Sequence, residues 1–224
     1  MQFSKFLILV LCLPVLCFSQ YQADEWKERD SWMPLKRLFE VADIKSGIQI
    51  ADIGCHEGYL TVHLAKRVGQ KGQVYAVDVR KDRLEVLKNN LKERNLSNVT
   101  VILGDYDDPK LPDGQLDVVI IMDTYHEMTD YKIMLERVYK ALKPGGKLII
   151  FEKLKKRVKN GTRDEQTEAH TIASKYVKKE LEAANFTITK ELYDLGDWTN
   201  DPEKPMWLVV GEKAGDTKMK SSKF

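Results

Sequence analysis

The sequence predicts an open α/β fold, a mostly parallel sheet with helices on both faces, and three observations carry that prediction. Apolar strands alternate in strict turn with segments of helical periodicity. The stretch Ile48 to Thr61, IQIADIGCHEGYLT, runs from an apolar strand through a glycine-flanked turn directly into an amphipathic helix. Asp78 ends the next strand twenty residues after Gly58, where a carboxylate can take both hydroxyls of a ribose.

The elements follow in order. A helix from about Trp32 to Asp43 precedes the first strand, in which Ile48, Ile50 and Ile53 are the buried positions. Helical spacing recurs over Tyr59 to Val68, Lys81 to Arg94 and Tyr131 to Leu142, with Leu84, Leu87 and Leu91 making one apolar face. Between them lie apolar strands at Gln73 to Val77, Val99 to Leu103, Leu116 to Met122 and Leu148 to Phe151. The last third predicts a helix from about Thr167 to Ala184 and strands at Phe186 to Tyr193 and Met206 to Gly211. Those last two are joined by the turn-rich segment Gly196 to Pro205 and should form a hairpin, which makes seven strands with the last antiparallel.

The turn itself has a chemistry. Gly54 lets the backbone leave the first strand sharply, and Gly58 lets the next helix pack close to whatever occupies the crevice. A dinucleotide turn wants G-x-G-x-x-G so that pyrophosphate can sit on the helix N-terminus, whereas Gly54, Cys55, His56, Glu57 and Gly58 read G-x-x-x-G. Glu57 places negative charge where a phosphate would go, so the turn suits a cationic adenosyl sulfonium better than NAD.

On these residues the chain resembles the class I S-adenosylmethionine-dependent methyltransferases over roughly Trp32 to Lys213, which implies a Rossmann-like sheet and S-adenosyl-L-methionine as cofactor. Asp52 to Gly58 matches the family's first motif, usually D-x-G-x-G-x-G, with His56 at the place of the middle glycine. The resemblance implies that this backbone, with Asp52, Gly54, Cys55, His56 and Gly58, flanks the methionine part of the cofactor. Asp78 matches the acidic ribose ligand, with Val79 beside it, and Asp105 matches the acidic residue that meets the adenine amino group, with Tyr106 beside it. Asp123, at the end of the fourth strand, matches the residue opening the loop that faces cofactor and substrate, and Lys143 to Lys147 matches the turn into the fifth strand.

The acceptor chemistry is expected beyond Asp123, in Asp123-Thr124-Tyr125-His126-Glu127-Met128. Methyl transfer from a sulfonium is an in-line displacement, so the protein mainly aligns donor and acceptor and removes a proton from an OH or NH acceptor. His126 is the preferred general base, since an imidazole titrates near 6.5; the alternative is that it only caps the following helix or bonds a loop. His170 is a second candidate, because in similar sequences its region folds over the acceptor pocket. Cys55 is solitary and reads as a turn residue lining the cofactor rather than as a nucleophile. His56 and His63 lack further ligands at matching spacing, so no metal site is expected. Tyr21, Trp26 and Trp32 either form an aromatic lid or pack the N-terminal segment. The basic run Lys153, Lys155, Lys156, Arg157 and Lys159 reads as an anion lure or a solvated loop, with Asp164, Glu165 and Glu168 compensating.

Absences narrow the acceptor. After the leader there is one thiol, too few for a soft metalloid. The Asn/Asp-Pro-Pro-aromatic loop of adenine methylation and the Pro-Cys pair of cytosine methylation are both missing, and Glu152 is followed by Lys153 rather than by the amide of the metal-dependent catechol type. A small-molecule acceptor is expected, with a non-catalytic binding protein on the same scaffold or an isoaspartate-type repair enzyme, suggested by Gly72 to Asp78, as alternatives. A nicotinamide-dependent oxidoreductase is disfavoured by Glu57 and the missing third glycine.

Length and charge agree. The 224 residues, 43% apolar, suffice for one substantial core and hardly two, and the net charge of +2 leaves no nucleic-acid footprint. Residues 1–19 read as a secretory signal peptide: Lys5, an apolar run from Phe6 to Phe18, then small Ser19. The run is shorter than the roughly 20 residues of a membrane span, so an exported, periplasmic chain without a membrane span is expected after cleavage, of the Gram-negative type. Residues 20–31 form an N-terminal segment, 32–213 the domain and 214–224 a flexible tail.

Overall fold

The computed structural model describes residues 26–215. The expected signal peptide, Tyr21 and all but the first two residues of the tail lie outside the described residues. The strands are β1 (Gln49–Ile53), β2 (Gln73–Asp78), β3 (Val99–Leu103), β4 (Leu116–Met122), β5 (Leu142–Lys153), β6 (Phe186–Leu192) and β7 (Met206–Lys213). They form one sheet in the order β3-β2-β1-β4-β5-β7-β6. Strands β1 to β5 are mutually parallel, and β7 is antiparallel to both β5 and β6, the hairpin that the sequence predicts.

Strand alternation divides the core into two layers. Ile50, Ile120, Ile149 and Phe151 pack on one face of the sheet, while their neighbours Ala51, Ile121 and Ile150 pack on the other. The first face is covered by α1 (Trp26–Trp32), α2 (Leu35–Val41), α3 (Tyr59–Val68) and α4 (Lys81–Glu93), through residues such as Leu38, Leu64 and Leu87. The second is covered by α5 (Tyr131–Ala141) and α7 (Ser174–Ala183), through Leu135, Val138, Val177 and Leu181. Among the described residues no helix is long and apolar enough to cross a membrane.

Three elements depart from expectation. The helix expected from Trp32 to Asp43 is confined to α2, and a separate helix not expected from the sequence, α1, precedes it, so the region holds two; Pro34, which has no N–H to donate and disfavours helical backbone at Met33, divides them. Trp26 is buried in the same core cluster, so α1 belongs to the packed unit. The helix expected over Thr167 to Ala184 is also two, α6 (Arg163–Glu168) and α7. The chain breaks between them where His170 is left-handed (φ 53°) and the buried Thr171 hydroxyl donates to the carbonyl of Lys153 at 2.6 Å. Strand β5 starts six residues early and carries Lys143 to Lys147 within it, across a register shift against β4.

The sheet order reverses at β1, whose neighbours β2 and β4 are reached by connections leaving in opposite directions; ligands bind at such a switch point, beyond the strands' carboxyl ends. There the turn from β1 into α3 is left-handed at alternate residues, Gly54 (φ 78°), His56 (φ 50°) and Gly58 (φ 93°). A Cβ at Gly54 would lie 2.3 Å from Oγ1 of Thr124, and one at Gly58 would lie 2.2 Å from Cδ1 of Leu87. His56 thus keeps the backbone of the glycine it replaces, at a cost of about 1–2 kcal/mol.

His56→Gly is expected to raise unfolding free energy in urea by roughly 0.5–1 kcal/mol, the strain relieved less the entropy glycine adds to the unfolded chain. Gly58→Ala is expected to lower it by about 1–3 kcal/mol, through overpacking on Leu87 and the left-handed backbone together. Equal stabilities for the two variants would contradict this account of the turn.

Candidate functional site

The floor of the crevice is the turn, and its first residue is the buried Asp52 on β1. Its carboxylate accepts the hydroxyl of Thr61 on α3 at 2.6 Å. Burial raises its pKa to about 6, outweighing the Thr61 hydrogen bond, with the Asp78 charge adding to the rise. The backbone N–H groups of Gly54 and Cys55 both donate to the carbonyl of Val77, at 2.8 and 3.0 Å. The Cys55 thiol is buried and free, and burial pushes its pKa well up, as suits a packed turn residue.

Asp78 closes the turn from the side of β2. One carboxylate oxygen accepts the His56 N–H at 2.8 Å and the other the Arg80 N–H at 2.9 Å. Each oxygen keeps a second lone pair for a ribose hydroxyl. The half-buried His56 ring has its pKa lowered by burial and then by the Arg83 charge.

Glu57 corrects an expectation. It is buried, ion-paired with Arg83 of α4 at 2.5 Å, and its carbonyl accepts the side-chain amide of Asn90 at 2.9 Å. Its charge is spent on anchoring α4, so it does not set the sign of the ligand at the helix start. The sequence shows the carboxylate, but not the arginine twenty-six residues later that neutralises it.

On the other side of Asp78 the crevice is apolar and open. Val79 is 38%, Leu103 45% and Tyr106 70% exposed, three large apolar side chains together at the ends of β2 and β3. The Gly104 N–H donates to the carbonyl of Asp78 at 3.1 Å, which brings Asp105 beside them. Asp105 is itself exposed and paired with Lys110 at 3.0 Å.

Across the switch point, the ends of β4 and β5 carry the titratable groups. Asp123 is left-handed (φ 52°) and ion-paired with Lys153, whose ammonium also lies 4.9 Å from the ring of Trp198. The His126 ring is buried between two carboxylates: Nδ1 faces both oxygens of Glu152, at 3.0 and 2.9 Å, and Nε2 faces Glu127 at 3.0 Å. Burial alone would depress its pKa, but the Glu152 charge and the hydrogen bonds to Glu127 and Glu152 outweigh it and lift the pKa to about 10. The His126 hydrogen bond, opposed by burial and helped by that of His170, holds Glu127 down to about 2. Both ring nitrogens of His126 are thus engaged by carboxylates, so in this conformation neither stands open toward the crevice as the sequence expectation of a general base requires. His170 does join the group: its exposed ring reaches Glu127 through Nδ1 at 2.5 Å and stands edge-on to His126, with centroids 6.2 Å apart.

The structure thus brings Asp52, Gly54, Cys55, His56, Gly58, Asp78, Val79, Asp105 and Tyr106 to one side of the crevice, and Asp123, His126 and His170 to the other. Thr124 bridges the two halves by packing on Gly54. Glu127 lies in the run expected to carry the acceptor chemistry, whereas Glu152, Lys153, Arg83 and Thr61 join the site without having been expected there. The signal for two of them was present, since Glu152 and Lys153 prolong an apolar strand with adjacent opposite charges. His63 is paired with Asp30 at 3.1 Å, away from His56's partners. The aromatic residues of α1 pack rather than gate: Trp26 lies edge-on to Tyr59, and Trp32 edge-on to Trp198. The basic run is divided: Lys153 is tied to Asp123 and Lys155 to the carbonyl of Ala169 at 2.6 Å, while Lys156, Arg157 and Lys159 are exposed. A second hollow, lined by Asp43, Lys45, Asp117 and Lys143, sits at the amino ends of the strands and carries the Lys143–Asp117 and Lys45–Asp43 ion pairs.

Known proteins agree with this geometry. A family profile described as a methyltransferase domain matches residues 44–191. The demethylmenaquinone methyltransferase of a Geobacillus species is 34% identical over 128 residues, which is 57% of this chain and 51% of that protein. The nocamycin O-methyltransferase of Saccharothrix syringae is 31% identical over 113 residues, 50% of this chain and 40% of that protein. The chain spans about half the length of the curated relatives it matches. Among solved structures, a SAM-dependent methyltransferase from Aquifex aeolicus superposes with a TM-score of 0.69 at 22% identity, covering 86% of this chain and 99% of that one. With the matched profile spanning the turn, the acidic strand ends and the loop after β4, the chain belongs to the methyltransferase domain family and has the Rossmann-like fold of the S-adenosylmethionine-dependent enzymes.

Proposed function

We propose that this chain binds S-adenosyl-L-methionine in the crevice and transfers its methyl group to a small-molecule acceptor. One observation carries the reading: the left-handed triplet Gly54, His56 and Gly58 is clamped to Asp78 through the His56 N–H at 2.8 Å. A carboxylate with lone pairs to spare for ribose hydroxyls, next to a turn whose backbone can be approached closely, supports this reading.

When bound, S-adenosylmethionine supplies an electrophilic methyl group on a sulfonium. Asp52 offers a carboxylate to the cofactor's cationic methionine part, Asp78 binds the ribose hydroxyls, and Asp105 accepts from the adenine amino group between Val79 and Tyr106. The turn holds the donor while Asp123 and the His126–Glu127–His170 group face the acceptor. Because both ring nitrogens of His126 are engaged by carboxylates, removal of an acceptor proton falls to this group as a unit. The relatives named above, by their names a menaquinone-pathway enzyme and an O-methyltransferase, support a small, carbon- or oxygen-centred acceptor. We further propose export of the chain, supported by the leader-like residues 1–19.

Calorimetry with S-adenosylhomocysteine and NAD is the direct test, and binding of NAD alone would overturn the reading. Asp78→Ala is expected to weaken the adenosyl ligand by about 1–3 kcal/mol, with an unchanged circular dichroism spectrum; unchanged affinity would place the site elsewhere. Asp52 adds a pH dependence. Its folded pKa of about 6 lies above its ordinary 3.8, so the folded state holds the extra proton between these values and the free protein loses stability as pH rises through that window. The carboxylate that appears above about 6 attracts a cationic ligand, so S-adenosylmethionine affinity should rise with pH through that value. Asp52→Asn should flatten the rise, and a rise that persists in the variant would assign it to another group.

A further inference from the structure

We propose that His126, Glu127 and His170 form a site for a divalent first-row transition ion, at the acceptor side of the crevice. Three potential ligand atoms converge there from separate elements, the turn after β4 and the break between α6 and α7. Oε1 of Glu127 lies 3.0 Å from Nε2 of His126 and 2.5 Å from Nδ1 of His170. All three atoms fall within 4.8 Å of one another. Imidazole nitrogens and carboxylate oxygens bind such an ion at about 2.0–2.2 Å, which sets neighbouring ligand atoms about 3 Å apart. Small side-chain rotations therefore seat an ion where the hydrogen bonds now run.

The support around the inner ligand is that of a metal-binding histidine. Glu152 is fully buried and grips His126 through both oxygens, at 3.0 and 2.9 Å, while accepting its backbone N–H at 3.2 Å. A carboxylate on Nδ1–H fixes the tautomer and turns the Nε2 lone pair outward, raising its strength as a ligand. The outer ligand is aimed by its backbone. His170 is left-handed (φ 53°) at the end of α6, a position that favours glycine, and its side chain turns back onto Glu127.

Charge and access select this trio over the neighbouring set Asp123, His126 and Glu152, which is also close enough to chelate. The Lys153 ammonium already neutralises Asp123 and would repel a cation there. An ion at Nε2 of His126 would displace the proton now shared with Glu127, leaving the Glu127 and Glu152 carboxylates against neutral imidazoles, a charge matched to a dication. The His126 side chain is 3% exposed, whereas Glu127 is 52% and His170 66% exposed, so the site is anchored inside and open outside. A two-histidine, one-carboxylate set favours zinc, iron or manganese over magnesium or calcium and leaves coordination positions for water and a further ligand. If methyl transfer proceeds as proposed above, an ion here would hold an oxygen or nitrogen of the acceptor and lower its pKa, the task left to this group as a unit.

The test is on the full chain, stripped with a chelator and titrated with zinc chloride by calorimetry, with cobalt(II) absorption as the reporter of coordination. One equivalent is expected to bind with a micromolar or tighter Kd. His170→Ala and Glu127→Gln, both at exposed positions, should each weaken it at least about tenfold, while His63→Ala leaves it unchanged. No saturable zinc binding by the unmodified chain, or binding that survives both substitutions, would overturn the site. S-adenosylhomocysteine titrated into the same stripped protein separates the two ideas. Adenosyl binding without zinc binding sinks the ion site alone, and zinc binding without adenosyl binding sinks the transferase reading alone.

Discussion

The carboxylate of Asp78 is the constraint on which the crevice depends. It ties the turn after β1 to the end of β2 by accepting two backbone N–H groups, one from each side. Hydrogen bonds to a charged group contribute roughly 1.5–3 kcal/mol each, enough to offset the roughly 1–2 kcal/mol that left-handed backbone costs His56. A bulky residue can therefore stand where glycine would be easier. The same carboxylate presents its remaining lone pairs to the crevice, so one side chain both builds the turn and faces the ligand.

Charge is sorted in pairs around that centre. Glu57 is matched by Arg83 and Asp123 by Lys153, which removes four ionised groups from the electrostatics of the ligand. What remains divides the crevice. One side has Asp52 and Asp78, with the exposed apolar side chains Val79, Leu103 and Tyr106 near the ends of β2 and β3. The other has His126 clamped between Glu152 and Glu127, with His170 completing the group. Thr124 packed on Gly54 couples the two sides, so a shift in the turn is felt at the start of the acceptor loop.

The central strands were legible because each is a run of apolar residues bounded by turn residues and buried on both faces, whereas the edge strands β3 and β6 are only partly buried. The turn was legible because its spacing leaves few other uses for Gly54 and Gly58 before a helix. Helix boundaries were less so: Pro34 breaks the first helix locally, whereas the break at His170 depends on Thr171 bonding to β5, a partner eighteen residues away. The same limit explains His126. Its residue type suggests a base, but its protonation is decided by Glu152, which is adjacent only because β4 and β5 pair in parallel.

The amino-acid order by itself determined the class of fold and the glycine-flanked turn between β1 and α3, because local periodicity and short-range turn chemistry encode both. Only the tertiary structure decided which charges survive to act. Neutralisation of Glu57 and Asp123, and the gathering of His126, Glu127, Glu152 and His170, arise from contacts between residues up to 43 positions apart. Electrostatic fate follows distance in space, and distance in space is set by how the sheet brings its strand ends together.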